Sequence, residues 1–205
     1  MSVKALLFDM GNVVIEISFL KMMDALGFHC QTEHEAARMV ESWAFHDQYE
    51  RGLLTTDQFR AAVSERLGRK LEPEQFEKGW TSIYVGQVKG VEELLSELAL
   101  SYPIYLLSNT NPAHMAFCVS QFGVLSRFNK RFLSYELGCR KPEREIYERV
   151  VRDIGVAHGV KQDEILFFDD MPGNVSGARD FGLRAELADR SVEAIIAGLK
   201  LHQMR

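Results

Sequence analysis

Short apolar runs and helical stripes alternate along most of this chain. Residues 3–8 (VKALLF) form an apolar run typical of a parallel-sheet strand covered on both faces, and similar runs recur at Ile104–Leu107, Arg131–Leu133, Ile165–Phe168 and Leu183–Leu187. Helical spacing separates most of them. Val91, Leu94, Leu95 and Leu98 fit i, i+3, i+4, i+7, and Ile146, Tyr147, Val150, Val151 and Ile154 do the same, with Gly155 placed to end that helix. Strands alternating with helices predict an α/β fold built on a doubly wound, Rossmann-like parallel sheet.

The alternation breaks once. About 95 residues lie between Phe8 and Ile104, far more than one crossover helix needs. Within them, Thr32-x-x-Glu35 and Thr55-x-x-Gln58 have the form of capping boxes, and Pro73 suits a first helical turn. Apolar positions repeat helically at Phe19, Met22, Met23 and Leu26, at Phe59, Ala62, Val63 and Leu67, and at Phe76, Trp80 and Ile83. The pattern predicts an all-helical cap of about four helices over residues 17–86, inserted into an α/β core made of residues 1–16 and 87–205. Hinges are expected near Glu16–Ser18 and at Val85-Gly86 and Lys89-Gly90.

Composition narrows the partners. With 46% hydrophobic residues and five prolines, the 205-residue chain reads as an ordinary globular protein. Lys+Arg 24 against Asp+Glu 29 gives a net charge of −5, and no basic block supports binding to nucleic acid or anionic lipid. The apolar run near the start stops at Asp9, too short for a signal segment or a membrane span, so a cytoplasmic protein acting on small molecules is expected. Cys30, Cys118 and Cys139 lack zinc spacing and read as free thiols.

In open α/β sheets ligands bind beyond the carboxyl ends of the strands. There the chain carries Asp9-Met10-Gly11-Asn12-Val13, Ser108-Asn109-Thr110-Asn111-Pro112 and Asp169-Asp170-Met171-Pro172-Gly173-Asn174, with Arg140-Lys141-Pro142 ahead of the Ile146 helix. Three carboxylates converging with a hydroxyl and a lysine provide a nucleophile, oxygen ligands for a hard cation, and donors for an anion.

These motifs, in this order, resemble the four motifs of the haloacid dehalogenase superfamily, whose members are mostly magnesium-dependent phosphatases working through an aspartyl-phosphate. The resemblance spans essentially the whole chain. It implies Asp9 as nucleophile, Ser108 and the Asn109 amide as phosphoryl donors, and Lys141 as the neutralising cation. It also implies Mg²⁺ held by Asp9, the Gly11 backbone carbonyl and Asp170, with Asp169 in support. Asn174 would bond the motif loops together, and the helical insertion would be a C1-type cap over the substrate.

One position departs from the common pattern. Phosphatases of the superfamily generally carry a second Asp where this chain has Gly11, a general acid that is missing here. A small branch that includes α-D-glucose-1-phosphate phosphatases reads DxGNV as well and has a cap segment similar to Phe45–Gly52. The resemblance therefore implies a small phosphate ester substrate, such as glucose 1-phosphate, whose anomeric oxygen leaves with less acid assistance. Asn12 and the cap residues His46 and Arg51 are expected at the substrate, near Asp47 and Glu50, and His46 titrates in a range suited to replace the missing acid. His29, His34, His114, His158 and His202 show no metal-ligand spacing. A monomer or homodimer is expected. Two other readings compete: a metal-free 2-haloacid dehalogenase, to which Asp169-Asp170 would add nothing, and a non-catalytic sugar-phosphate-binding regulatory protein.

Overall fold

The computed structural model describes residues 2–204; residues 1 and 205, the outer bounds of the expected core, lie outside them. Strand β1 (Ala5–Phe8) and a short β2 (Ile15–Ile17) lead into helices α1 (Phe19–Leu26), α2 (Glu33–Glu41), α3 (Ala44–Glu50), α4 (Thr56–Leu67) and α5 (Pro73–Thr81). The chain returns through β3 (Tyr84–Gln87) and α6 (Val91–Leu98) to β4 (Ile104–Ser108), α7 (Pro112–Gln121), β5 (Lys130–Leu133) and α8 (Ser134–Leu137). It ends with α9 (Arg144–His158), β6 (Ile165–Asp169), α10 (Pro172–Phe181), β7 (Arg184–Leu187) and α11 (Val192–Leu201).

Five strands pair in the order β5-β4-β1-β6-β7, all parallel, as the apolar runs predict. Both faces are covered, so the period-two alternation divides one apolar set from another. Leu6, Phe8, Ile104, Leu106, Leu166 and Phe168 join the hydrophobic cluster that runs on into the inserted helices. Ala5, Leu7, Tyr105, Leu107, Ile165 and Phe167 face the cluster under α9 and α10. Strand β1 sits centrally, and successive strands extend from it first to one side and then to the other. The carboxyl end of β1 is therefore the crevice where a ligand fits this topology.

The insertion is held by aromatic packing. Trp43, Tyr49, Phe59, Phe76 and Trp80 are fully buried, each contributing roughly 1.5–3 kcal/mol by area removed from water. Tyr49 and Phe59 stack with centroids 4.3 Å apart. The same cluster contains Met10, Val13, Val14 and Ile15 from the segment after β1, so apolar packing runs continuously from the sheet into the insertion.

One local expectation holds and several change. Thr55 and Gln58 form the reciprocal capping box that starts α4, at 3.2 and 2.8 Å. At α2 the reciprocity is displaced: Thr32 accepts from the Glu35 amide, but the Glu35 carboxylate takes the amide of Gln31. Helix α9 runs past Gly155 to end at Gly159, where φ is +66°. Gly155 serves another purpose there, because a Cβ would stand 3.1 Å from the returning Val160 carbonyl. Five helices fill the insertion among the described residues, where about four were expected. Of the expected hinges, residues 16–17 fall on β2 and 85–86 on β3, which pair antiparallel as a two-stranded ribbon, while Ser18 caps α1 and Gly90 caps α6. No helix among the described residues is long and apolar enough to cross a membrane.

Candidate active site

The central group is a buried lysine between two aspartates. Asp9 leaves β1 with its amide bonded to Phe168 O at 2.8 Å, which fixes it beside the end of β6. Lys141 arrives from the loop before α9, and its Nζ donates to Asp9 Oδ1 at 2.5 Å, to Asp169 Oδ2 at 2.6 Å and to Leu107 O at 3.0 Å. The side chain of Asn109 holds that loop: Oδ1 accepts from the Lys141 amide at 2.9 Å and Nδ2 donates to the Lys141 carbonyl at 3.0 Å. This clamp has no signature in the sequence beyond an Asn after a strand. Ser108 is buried beside it at the end of β4.

Asp169 is fully engaged. Its Oδ1 accepts from Met171 N at 2.8 Å and Asn174 Nδ2 at 3.0 Å, and Asn174 reaches Oδ2 at 3.2 Å. Asp170 accepts from Asn12 Nδ2 at 2.9 Å through Oδ2 alone among the described bonds. Asn12 takes the left-handed conformation, with φ +55°, which asparagine tolerates better than most residues.

Charge explains what the cluster requires. Asp9, Asp169 and Asp170 bring carboxylate oxygens within 4.8 Å of one another, and among the described residues Lys141 is the cation bonded between them. Burial lifts the Asp9 carboxyl, Lys141 pulls it back, and the repulsion of Asp169 and Asp170 leaves it at about 7. Burial also raises Asp170. Burial opposes the charge on Lys141, yet Asp169 and Asp9 outweigh it and hold its pKa above the ordinary lysine value. An oxygen-only donor set with surplus negative charge matches a hard divalent cation. Asp9, Asp170 and the carbonyl of Gly11 could hold it, while Asp169 is saturated by Lys141, Met171 N and Asn174.

A cavity of about 360 Å³ lies between this floor and the inserted helices. Asp9, Gly11, Asn12, Ser108, Asn109, Lys141 and Asp170 line its base, with Ile17, Phe19, Met22, His46, Glu50, Trp80 and Arg140 around and above them. His46 is buried on α3 with Nε2 3.5 Å from Glu50 Oε1. Burial lowers its pKa, with Glu50 opposing and Arg140 assisting the shift. A Cβ on Gly11 would stand 3.2 Å from Ile17 Cδ1, so a side chain there would press on the end of Ile17.

Arg51 lies elsewhere. Its Nε donates to Asp47 at 2.8 Å and its guanidinium engages Glu143. Arg140 takes the place at the cavity, bonding Asp47 through Nη1 at 2.8 Å and pairing with Glu50 through Nη2 at 2.7 Å. These pairs join α3 to the same loop that carries Lys141. Adjacency to Lys141 was the available signal for Arg140. On the other side, Trp80 Nε1 donates to Asn111 Oδ1 at 3.3 Å and stacks on His114 with centroids 4.7 Å apart.

A doubly wound sheet with a buried carboxylate–lysine cluster at the end of its central strand points to a class of hydrolase. Residues 3–182 match the haloacid dehalogenase-like hydrolase family, and the chain belongs to it. It is similar to a D-ribitol-5-phosphate phosphatase of Bacteroides thetaiotaomicron, 29% identical over 189 residues that cover 88% of this chain and 89% of the relative. A HAD family enzyme of the same organism, crystallised with magnesium and inorganic phosphate, is 30% identical over 91% of this chain and 94% of that one, with a TM-score of 0.78. A HAD-like hydrolase of Porphyromonas gingivalis shares the fold, with 24% identity, full coverage of both chains and a TM-score of 0.82.

Proposed function

We propose that the protein is a magnesium-dependent phosphatase that hydrolyses small phosphate monoesters, sugar or sugar-alcohol phosphates foremost, as a cytoplasmic enzyme. The observation that carries this reading is the buried Asp9–Lys141–Asp169 array beside Asp170 at the end of the central strand. Phosphoryl transfer needs in-line positioning and compensation of charge on the phosphoryl oxygens. Ser108, the Asn109 amide and Lys141 bind those oxygens, and Asp9 attacks phosphorus to give an aspartyl-phosphate that water then hydrolyses. Asp9, Asp170 and the Gly11 carbonyl would hold magnesium, which would supply the positive charge that keeps the carboxylates ionised and offsets the charge on the phosphate.

The leaving group lies toward the inserted helices, which act as a cap. At ~30 Å³ per water, the cavity equals about a dozen water volumes, a size suited to a small polyol or sugar phosphate. His46, with Glu50 behind it, faces the leaving oxygen in place of the acid that Gly11 lacks; because burial lowers its pKa, it takes up its proton when the phosphate dianion binds, gives it to the leaving oxygen, and as the neutral base then accepts the proton of the attacking water. The relative's substrate is a 5-phosphate, whereas the Gly11 position favours an anomeric 1-phosphate such as glucose 1-phosphate. A carbon-centred dehalogenation gains nothing from three clustered carboxylates, and a purely binding role leaves the Asp9–Lys141 pair without a purpose.

Phosphate release from 1-phosphates, 5-phosphates, 6-phosphates and an aryl phosphate tests the reading, with Mg²⁺ or EDTA. Release that requires Mg²⁺ and is lost in Asp9→Asn is expected. His46→Asn is expected to lose roughly 10²–10⁴-fold on alkyl phosphates and much less on the aryl ester, which leaves without a proton. Release that survives Asp9→Asn would remove the proposed nucleophile.

A further inference from the structure

Asn12 stands between the Asp170 carboxylate and an arginine from the far end of the sequence. Its Nδ2 donates to Asp170 Oδ2 at 2.9 Å. Its Oδ1 accepts from Arg190 Nε at 2.9 Å and from Ile17 N at 3.2 Å. Two donors on the oxygen fix the orientation of the amide, because a flipped amide would face Asp170 with its own carbonyl. The Arg190 guanidinium also reaches Ile17 O through Nη2 at 3.1 Å. The Arg190 amide separately donates to Asn12 O at 2.6 Å.

We propose that Arg190 is a positioning residue for the cation site: through Asn12 it holds the Asp170 carboxylate in its ligating orientation, and through Ile17 it ties that orientation to the strand leading into the cap. The inference rests on the reading of Asp9, Gly11 and Asp170 as the cation site. These bonds hold a half-exposed side chain in the loop after β7 against Asn12 and Ile17. Ile17 belongs to β2, so a shift of the ribbon moves a donor and an acceptor that this arrangement uses. Partners one bond removed from a metal ligand typically contribute 10–100-fold to metal affinity.

Mn²⁺ binding followed by water-proton relaxation tests the proposal without turnover. Asn12→Ala is expected to weaken Mn²⁺ 10–100-fold, and Arg190→Ala, which keeps the backbone bond to Asn12, by a smaller but resolvable factor, since it stands one bond further from the ligand. The double variant is expected to bind no more weakly than Asn12→Ala alone, since the arginine acts through the amide. Arg190→Lys, with one donor centre for two acceptors, is expected to fall between wild type and alanine. Equal Mn²⁺ affinity in wild type and Arg190→Ala would overturn the inference, as would fully additive losses in the double variant. A wild type that binds no Mn²⁺ would instead overturn the cation site itself.

Discussion

His114 is a buried base whose two ring nitrogens are both committed. Nε2 donates to the Trp80 carbonyl at 3.0 Å, and Nδ1 accepts from Asn111 Nδ2 at 3.1 Å. The Asn111 orientation is set because its Oδ1 already accepts from the His114 and Trp80 N–H groups. Protonating Nδ1 would set two donors against each other, and burial lowers the pKa from 6.5 to about 3. The folded protein therefore stays neutral at His114 where the unfolded chain binds a proton, so stability falls as pH drops below 6.5 and this loss ends near 3. The expected contribution is about 1.4 kcal/mol per pH unit within that window. Urea midpoints of wild type and His114→Asn between pH 6 and 4 check it: a shallower slope in the variant is expected, and equal slopes would contradict the account. Nothing in the sequence marked this residue, since a lone His after a helix start carries no spacing signal. Asp9, Ser108, Asp169 and Asp170 were legible because strand ends locate them, whereas Lys141, in the loop before α9, was legible only from its place in the order of the motifs. Arg51 and Arg140 were not separable, because charge on a cap helix or a loop does not say which way it points.

At the scale of elements, the parallel strands were readable because burial on both faces leaves continuous apolar runs. The ribbon was not: β2 is Ile15-Glu16-Ile17 and β3 is Tyr84-Val85-Gly86-Gln87, too short and mixed to show a period. The end of α9 was misplaced for a related reason, since two glycines offered themselves and only tertiary packing against Val160 separates their roles. The ribbon carries both connections between core and cap, with Glu16 opposite Gly86. Gly86→Pro fixes φ and removes an amide donor, and it is expected to cost up to about 3 kcal/mol and to lower turnover at least tenfold, as ~1.4 kcal/mol in the barrier implies. A Cβ at Gly86 meets nothing within 4 Å, so Gly86→Ala is expected to behave nearly as wild type. Steady-state kinetics with circular dichroism separate the cases; unchanged turnover in the proline variant would remove the ribbon from the working cycle.

For the molecule as a whole, the inserted helices and one face of the sheet share a single hydrophobic cluster. A shared core predicts one cooperative unfolding transition. Both tryptophans, Trp43 and Trp80, belong to the insertion, so their fluorescence reports on the cap while far-UV circular dichroism reports on the whole chain. Coincident urea midpoints are expected from the two probes; an earlier fluorescence transition would show that the cap unfolds by itself.

The central claim is that Asp9 becomes phosphorylated during turnover. Acid quenching in the first turnovers with substrate and Mg²⁺, followed by peptide mass analysis, measures it directly. One phosphoryl group on the peptide containing Asp9 is expected, absent with EDTA and absent in Asp9→Asn. Substrate turnover with that peptide unmodified, or with the phosphoryl group on another residue, would contradict the account.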